Sequence, residues 1–287
     1  MRFLFDNTPD EILARREGSR QILIASCGLG LNSVAGLILL RDSGDIPDAI
    51  LFADTGGESN RTYAYLPILN AWLAKNHMPR VAVVKRDCDH DRQKNETKYD
   101  TLEQECLVKK CLPSIAYYGR SCSQKWKHAP QEKWANSDYE CLLSWATGKL
   151  VVKAIFYDAG EAHRVKHHRD AKYAYWHPLY DAGWDRDDCI RAVEREGLPV
   201  PPKSSCFFCP EMTPNEIVAL GREEPELLER ALKLEANANL TSIKGLGKHA
   251  FSWRDLVAGR VPLEVIEREN KGQRWTCMCS ENNGACS

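Results

Sequence analysis

The sequence predicts an α/β fold with a doubly wound, mainly parallel sheet and a helical C-terminal extension. Short apolar runs bounded by turn residues indicate buried strands. Longer amphipathic stretches lie between these runs, so strands and helices alternate as in a parallel sheet covered on both faces. The predicted strands are 21–25, 49–53, 81–84 and 151–156, and the first two predicted helices are 33–41 and 59–77.

We expect a nucleotide-binding α/β domain over 1–210 and a helical extension over 211–287. Inside the first domain, 85–131 is polar and irregular with scattered cysteines, which indicates a functional excursion from the sheet. Further helices are predicted over 186–196, 214–222 and 225–239. Gly197 is placed to end the first of them, and proline opens the other two. The tail from Lys271 is polar, and we expect it to be loosely ordered.

The composition of the 287 residues is that of a globular protein, with 43% hydrophobic and 28% charged residues. The longest apolar runs are far shorter than the roughly 20 residues that span a bilayer, so we expect a cytoplasmic protein without a membrane partner. A net charge of −1 gives no global attraction for nucleic acid. Twelve cysteines without a secretory signal indicate metal ligands or catalytic thiols rather than disulfides.

The segment Ser26–Ser33 joins the first strand to an apolar helix through Gly28 and Gly30. Such a junction directs backbone N–H groups and the positive end of a helix at the loop, which suits a phosphate. The alternative is a tight turn with Ser33 as the helix cap.

The second strand ends in an acidic, glycine-rich turn, in the position where ligands bind in open sheets. We expect this turn to face the first loop. The predicted nucleotide-binding residues are Ser26, Gly28, Gly30, Asn32, Ser33, Asp54, Thr55, Gly56 and Glu58.

With these two motifs the sequence resembles the phosphoadenosine phosphosulfate reductase-like family of the adenine nucleotide alpha hydrolase superfamily. The resemblance runs from about Gln21 to about Pro210 and implies binding of ATP or a related adenine nucleotide. Two departures stand out, because Cys27 replaces a glycine and no aspartate precedes Ser33. They weigh against magnesium-assisted ATP cleavage more than against binding, and magnesium stays a candidate cofactor.

Cys206 and Cys209 form a C-x-x-C turn behind a proline-rich lead-in, which brings two thiols to one side of a loop. A redox pair and simple packing are the alternatives. Cys122 and Cys189 are candidate partners in an iron–sulfur or zinc site, with Cys111 as the rival of Cys189. The contexts of Cys122 and of the C-x-x-C resemble the same family, where the corresponding cysteines imply iron–sulfur coordination. A metal-binding or sulfur-carrying role and a disordered end are both open for the tail cysteines, Cys277, Cys279 and Cys286.

Charged side chains follow the fourth predicted strand. Arg164 is suited to clamp a phosphate or sulfate oxygen, and Glu161 to orient it or to accept a ribose hydroxyl. A solvated loop is the alternative, but the resemblance places this Gly-x-x-x-Arg region at the active site. A patch of alternating charge and aromatic rings has the composition of a nucleic-acid contact, or its tryptophans belong to the core; it consists of Lys125, Trp126, Lys127 and Trp134. Arg164, Glu161 and Lys125 are the predicted catalytic residues.

Together these features predict an adenine-nucleotide-binding sulfur-transfer enzyme that uses an iron–sulfur site. It would adenylate an acceptor (tRNA, DNA or a small molecule) and take sulfur or electrons from a donor protein. One alternative is a sulfonucleotide reductase, although the tail reads Trp275-Thr276-Cys277-Met278 instead of the Glu-Cys-Gly-x-His motif of those reductases. Another is a non-catalytic nucleotide- or nucleic-acid-binding protein.

Overall fold

The computed structural model describes residues 21–88, 99–113, 121–166, 169–241, 243–247 and 250–272. Contacts divide the chain into two compact units. The first comprises Met1–Ala53, Arg61–Val84 and Pro130–Ser204, and the second comprises Asp54–Asn60, Lys85–Ala129 and Ser205–Ser287. Most of the predicted excursion thus belongs with the C-terminal helices. The predictions for Cys277, Cys279 and Cys286 lie outside the described residues.

A five-stranded sheet organises the fold, in the order β3-β2-β1-β4-β5. Its strands are β1 (Leu23–Ser26), β2 (Ala49–Asp54), β3 (Val81–Lys85), β4 (Val151–Ala154) and β5 (Tyr173–Trp176). Strand β1 pairs in parallel with β2 and β4, and β4 pairs in parallel with β5. The predicted parallel sheet is confirmed. The sequence analysis missed β5, because its four residues are mainly aromatic and lack the aliphatic run that marked the other strands.

Helices connect and extend the strands. In chain order they are α1 (Leu31–Asp42), α2 (Asn60–Lys75), α3 (Leu102–Lys109), α4 (Ser121–Ser123), α5 (Ala129–Ala135), α6 (Tyr139–Ala146), α7 (Pro178–Asp181), α8 (Arg186–Arg195), α9 (Pro214–Glu223), α10 (Pro225–Asn237), α11 (Trp253–Val257) and α12 (Leu263–Gly272). A π-helical segment, Gln124–His128, continues α4 into α5, and a 3₁₀ helix spans Ala159–Arg164. Within the described residues, no helix is long and apolar enough to cross a membrane.

Both faces of the sheet are covered in the first unit. Alternate residues of a strand point to opposite faces, so Leu23 and Ala25 join one core whereas Ile22 and Ile24 join another. The first core also contains buried side chains of α1, α2 and α8, and the second contains Ala135 of α5 and Cys141 of α6. The fold is therefore doubly wound, as predicted.

The second unit has a helical core of its own. Buried side chains of α3, α9, α10 and α11 pack with Trp126, Phe207 and Phe208. The predicted helix starts are confirmed at α9 and α10, where proline occupies the first turn, and α9 has a capping box between Thr213 and Glu216.

Candidate functional site

The order of the strands sets the candidate ligand site of the first unit. From central β1, the chain continues to β2 and β3 on one side, and β4 and β5 lie on the other. In open α/β sheets, ligands bind at the carboxyl ends of the strands where the direction of winding reverses. The loops after β1 and β4 therefore border the expected crevice, and both belong to the first unit.

The loop Ser26–Ser33 is closed by hydrogen bonds of its own. The Ser33 hydroxyl accepts from the backbone N–H of Gly28 at 3.0 Å, and the Ser204 hydroxyl donates to the Gly28 carbonyl. Ser26 Oγ donates to Gln131 Oε1 at 2.9 Å. Buried Leu29 has a left-handed backbone, with φ of 61°. The shape of the loop is thus fixed by hydrogen bonds within the first unit.

The first turn of α1 is not capped by a side chain. Gly30 occupies the N-cap position with φ of −93° and makes no side-chain cap hydrogen bond. Ser33 is the third helical residue, so it does not fill the role of cap that the sequence also allowed. Backbone N–H groups at the start of a helix lack partners within the helix, and the helix dipole adds positive potential there. This end of α1 can accept an anion.

Cys27, which stands where the resembling family has glycine, points into the core. It is 3% exposed, and burial raises the pKa of its thiol to about 12. A neutral, buried thiol is a packing group rather than a nucleophile.

Asn32 brings together the predicted residues of both loops. Its Nδ2 donates to Asp158 Oδ2 and to Glu161 Oε2, each at 3.0 Å. Glu161 in turn forms an ion pair with Arg164, whose guanidinium lies 4.4 Å from the ring centroid of Tyr157. Burial raises the pKa of Glu161, and the charge of Asp158 adds to this rise although Arg164 opposes it. Arg164 and Glu161 are thus bound to each other.

The acidic turn after β2 belongs to the second unit. Asp54 accepts a hydrogen bond from Gly56 N at 2.8 Å, and its other oxygen lies 3.2 Å from Lys85 Nζ. Glu58 is 2% exposed and accepts from Lys127 Nζ at 2.9 Å. Its second oxygen, Oε2, has no hydrogen-bond partner among the described residues.

A pocket of about 480 Å³, its open mouth included, lies within the second unit. We call it the thiol pocket, because three of the predicted metal ligands line it. Its lining residues are Thr55, Leu102, Pro113, Cys122, Ser123, Lys127, Cys206, Phe208, Cys209, Pro210 and Glu211. Thr55 Oγ1 lies 3.1 Å from Cys206 Sγ, at hydrogen-bond distance. The buried Ser123 hydroxyl has no hydrogen-bond partner in the described part of the chain.

The chemistry of this donor set fits a thiolate-bound metal group, since three thiols and an ammonium group share one pocket. The thiols do not form a ready site for one ion, because no three His, Cys, Asp or Glu side chains in the described ranges lie close enough to hold it. The fourth predicted ligand, Cys189, is fully buried in the apolar core of the first unit, where burial raises its pKa to about 12. That placement favours a packing role for Cys189.

Comparison with known protein families finds no match to the chain, and no curated protein matches its sequence. Among solved structures, a match is the phosphoadenylyl-sulfate (PAPS) reductase from Candida auris in its phosphate complex. The two chains are 12% identical, the TM-score is 0.41, and the match covers 69% of this chain and 84% of the other.

Lys125, the third predicted catalytic residue, does not line the thiol pocket. It forms an ion pair with Glu105, which also accepts from Lys109 Nζ at 2.6 Å and from Trp126 Nε1 at 2.7 Å. Burial works against ionisation of Glu105, but these hydrogen bonds prevail and its pKa is lowered. Trp126 is 1% exposed, so its ring is a core group and offers no face for stacking a base.

Lys127, rather than Lys125, supplies the cation of the thiol pocket. The sequence analysis named Lys125 as the catalytic lysine, and it could not separate the two positions because Lys125 and Lys127 have similar charged and aromatic neighbours along the chain. The π-helical segment that orients them has no recognisable signature in sequence.

Proposed function

We propose that the first unit binds an adenine nucleotide at the carboxyl ends of β1 and β4. The observation that carries this proposal is the uncapped start of α1 directly after the central strand of the sheet. Phosphate oxygens are the ligands that such a helix end selects. Gly28 and Gly30 do not have positive φ, so the backbone conformation alone does not require glycine there. Because they carry no side chain, a phosphate can approach the backbone of the loop closely.

Arg164 is the proposed partner of a phosphate oxygen. Its guanidinium is held by Glu161 and by the ring of Tyr157. A bound phosphate would compete with Glu161 for this bidentate donor. The Arg164 guanidinium would therefore meet a bound phosphate already oriented and largely shielded from solvent.

We further propose that the second unit holds an iron–sulfur cluster through Cys122, Cys206 and Cys209, with zinc as the alternative. Such a cluster would supply sulfur or electrons for transfer to an acceptor that the nucleotide has activated by adenylation. The residues of the chain have simpler tasks: Lys127, paired with Glu58, places a cation in the pocket, and Thr55 lies at hydrogen-bond distance from the sulfur of Cys206. Candidate acceptors are a tRNA, a DNA or a small molecule.

The nucleotide site is tested with Gly30→Asp. A side-chain carboxylate at this N-cap would satisfy the first turn of α1 and repel phosphate, while the nearest atom to an added Cβ is Ser204 Cβ at 3.4 Å. We expect an unchanged or higher melting temperature and at least about a tenfold loss of ATP affinity by calorimetry. Ser252→Asp, at the N-cap of α11, is the matched control. Equal ATP binding by wild type and Gly30→Asp would contradict the site.

The metal proposal is tested on anaerobically purified protein by iron, sulfide and zinc analysis and by visible absorption. We expect iron with sulfide, lost in Cys206→Ser and retained in Cys189→Ala. A colourless protein with one zinc per chain would exclude the cluster. Release of sulfite from a sulfonucleotide by the same preparation would favour the reductase alternative over sulfur transfer.

A further inference from the structure

Helix α3 ends in a motif that brings two cysteine side chains together. Lys110 has a left-handed backbone, with φ of 47° and ψ of 45°. Cys111 N donates to the Cys106 carbonyl at 3.0 Å, and Lys110 N donates to the Leu107 carbonyl at 3.3 Å. This is the Schellman pattern of helix termination, in which the side chains at the positions of Cys106 and Cys111 are commonly in contact.

The two thiols differ in their access to solvent. Cys106 is 2% exposed within the core of the second unit, whereas Cys111 is exposed. Burial raises the pKa of Cys106, and the neighbouring thiols Cys111 and Cys122 contribute to the rise. Cys111 is thus the thiol that a reagent meets first, and Cys106 lies behind it.

The backbone around the pair is fixed from outside the helix. The Leu107 carbonyl accepts from Asn237 Nδ2 at 2.8 Å, and the Lys110 carbonyl accepts from Asn239 N at 2.9 Å. Carbonyls at the end of a helix otherwise depend on water. Because they are held here, the two thiols keep their positions relative to each other.

We propose that Cys106 and Cys111 form a reversible disulfide by exchange with low-molecular-weight disulfides such as glutathione disulfide. The Cys111 thiolate attacks one sulfur of the small disulfide, which forms a mixed disulfide and releases one thiolate. Cys106 gives its proton to solvent and attacks Cys111 Sγ, which forms the internal bond and releases the second thiolate. The protein is oxidised by two electrons and one small disulfide is reduced to two thiols.

This couple shares no residue with the proposed nucleotide site or with the three proposed metal ligands, and it assigns to Cys111 a role other than the fourth-ligand role considered in the sequence analysis. Neither Cys106 nor Cys111 belongs to the proposed ligand set of Cys122, Cys206 and Cys209. Failure of the nucleotide or metal tests would therefore leave the disulfide proposal standing, and the reverse also holds.

The disulfide can be detected by mass spectrometry, because tryptic cleavage sites lie between the two cysteines. Trypsin cleaves after Lys98, Lys109, Lys110 and Arg120, so Cys106 and Cys111 fall on separate peptides, 99–109 and 111–120. The full-length protein, with its metal content as isolated, is equilibrated in glutathione buffers of increasing oxidised fraction. The samples are then quenched with acid, alkylated and digested. We expect peptides 99–109 and 111–120 to appear crosslinked as the buffer becomes oxidising, and to separate again when it is made reducing.

Two variants separate the steps. In Cys106→Ser the reaction should stop at Cys111, and the mixed disulfide with glutathione should rise at least about tenfold over wild type, since the internal second step is lost. In Cys111→Ser neither product should form. Cys88→Ser, which removes another buried thiol of the same core, should leave the couple unchanged.

Three results would overturn the proposal, provided that circular dichroism shows folded protein. The first is a crosslink of Cys106 to another cysteine in place of Cys111. The second is equal glutathionylation of Cys111 in wild type and Cys106→Ser. The third is a pair of free thiols at every buffer ratio.

Discussion

Asn32 donates a side-chain hydrogen bond of 3.0 Å to Asp158 and so ties the loop after β1 to the loop after β4. The same nitrogen also reaches Glu161 at 3.0 Å. A neutral amide thus stands between two carboxylates at the position before Ser33, where the resembling superfamily carries an aspartate.

Asn32→Asp should test this arrangement. It would place a third carboxylate against Asp158 and Glu161 and remove both donated hydrogen bonds, so we expect a loss of about 1–3 kcal/mol in the free energy of unfolding at pH 7. The loss should shrink as the pH falls, because protonation relieves the repulsion. Urea titrations between pH 7 and pH 4 measure it. Asn32→Ala, which removes the hydrogen bonds but adds no charge, should show no such relief; a loss for Asn32→Asp that is independent of pH would contradict the interpretation.

Gln131 is expected to act as a positioning residue for the nucleotide loop through its hydrogen bond to Ser26. Removal of one neutral hydrogen bond corresponds to about 1 kcal/mol, so Gln131→Ala should weaken ATP binding about fivefold. Ser26→Ala should have a similar effect. The double variant should be no worse than either single one, since both remove the same interaction. Additive losses in calorimetric titrations would show that Gln131 acts by another route.

Glu196 should make the stability of the first unit depend on pH at the acidic end. It accepts from both terminal nitrogens of Arg41, at 2.6 and 2.7 Å, and from Trp72 Nε1 at 3.0 Å. The Arg41 hydrogen bonds lower the pKa of Glu196 from 4.5 to about 2. A lowered folded-state pKa means that the stabilisation is complete above about pH 4.5 and is lost as the pH falls towards 2. Thermal melts of wild type and Glu196→Gln should converge over this interval, and parallel curves would contradict the assignment.

Asp181 should make the stability of the first unit fall as the pH rises, which is opposite to the effect of Glu196. Burial raises the pKa of its carboxyl from 3.8 to about 7. A raised folded-state pKa means that the folded protein holds a proton that the unfolded chain has released, so stability falls as the pH rises from about 4 to about 7. Asp181→Asn should remove this decline and be the more stable protein above pH 7. Melting temperatures measured from pH 4 to pH 8 test the sign, with Asp187→Asn, at an exposed position of α8, as the control.

Local chemistry made much of this fold predictable. Gly197 ends α8 in a left-handed conformation, with φ of 69°, as its position after the predicted helix indicated. Pro214 and Pro225 begin α9 and α10, because the fixed φ of proline suits the first turn of a helix.

Contacts between distant segments were not predictable. Ser26 meets Gln131 across 105 residues, and Glu58 meets Lys127 across 69. Cys189 is a second example of this limit. Its helix was predicted from the sequence, but only the packing of that helix shows that apolar groups enclose the thiol.

The π-helical segment Gln124–His128 affects how the thiol pocket would appear in other sequences. Cys122 and Lys127, five residues apart, both line the pocket. In an ordinary α-helix, the residue four positions after a cysteine shares its face, and a π-helix widens the turn by one residue. A protein with the same pocket but a regular helix would therefore carry its lysine one position earlier. Alignments that match the cysteine and the lysine in these two kinds of protein need a single-residue gap between them.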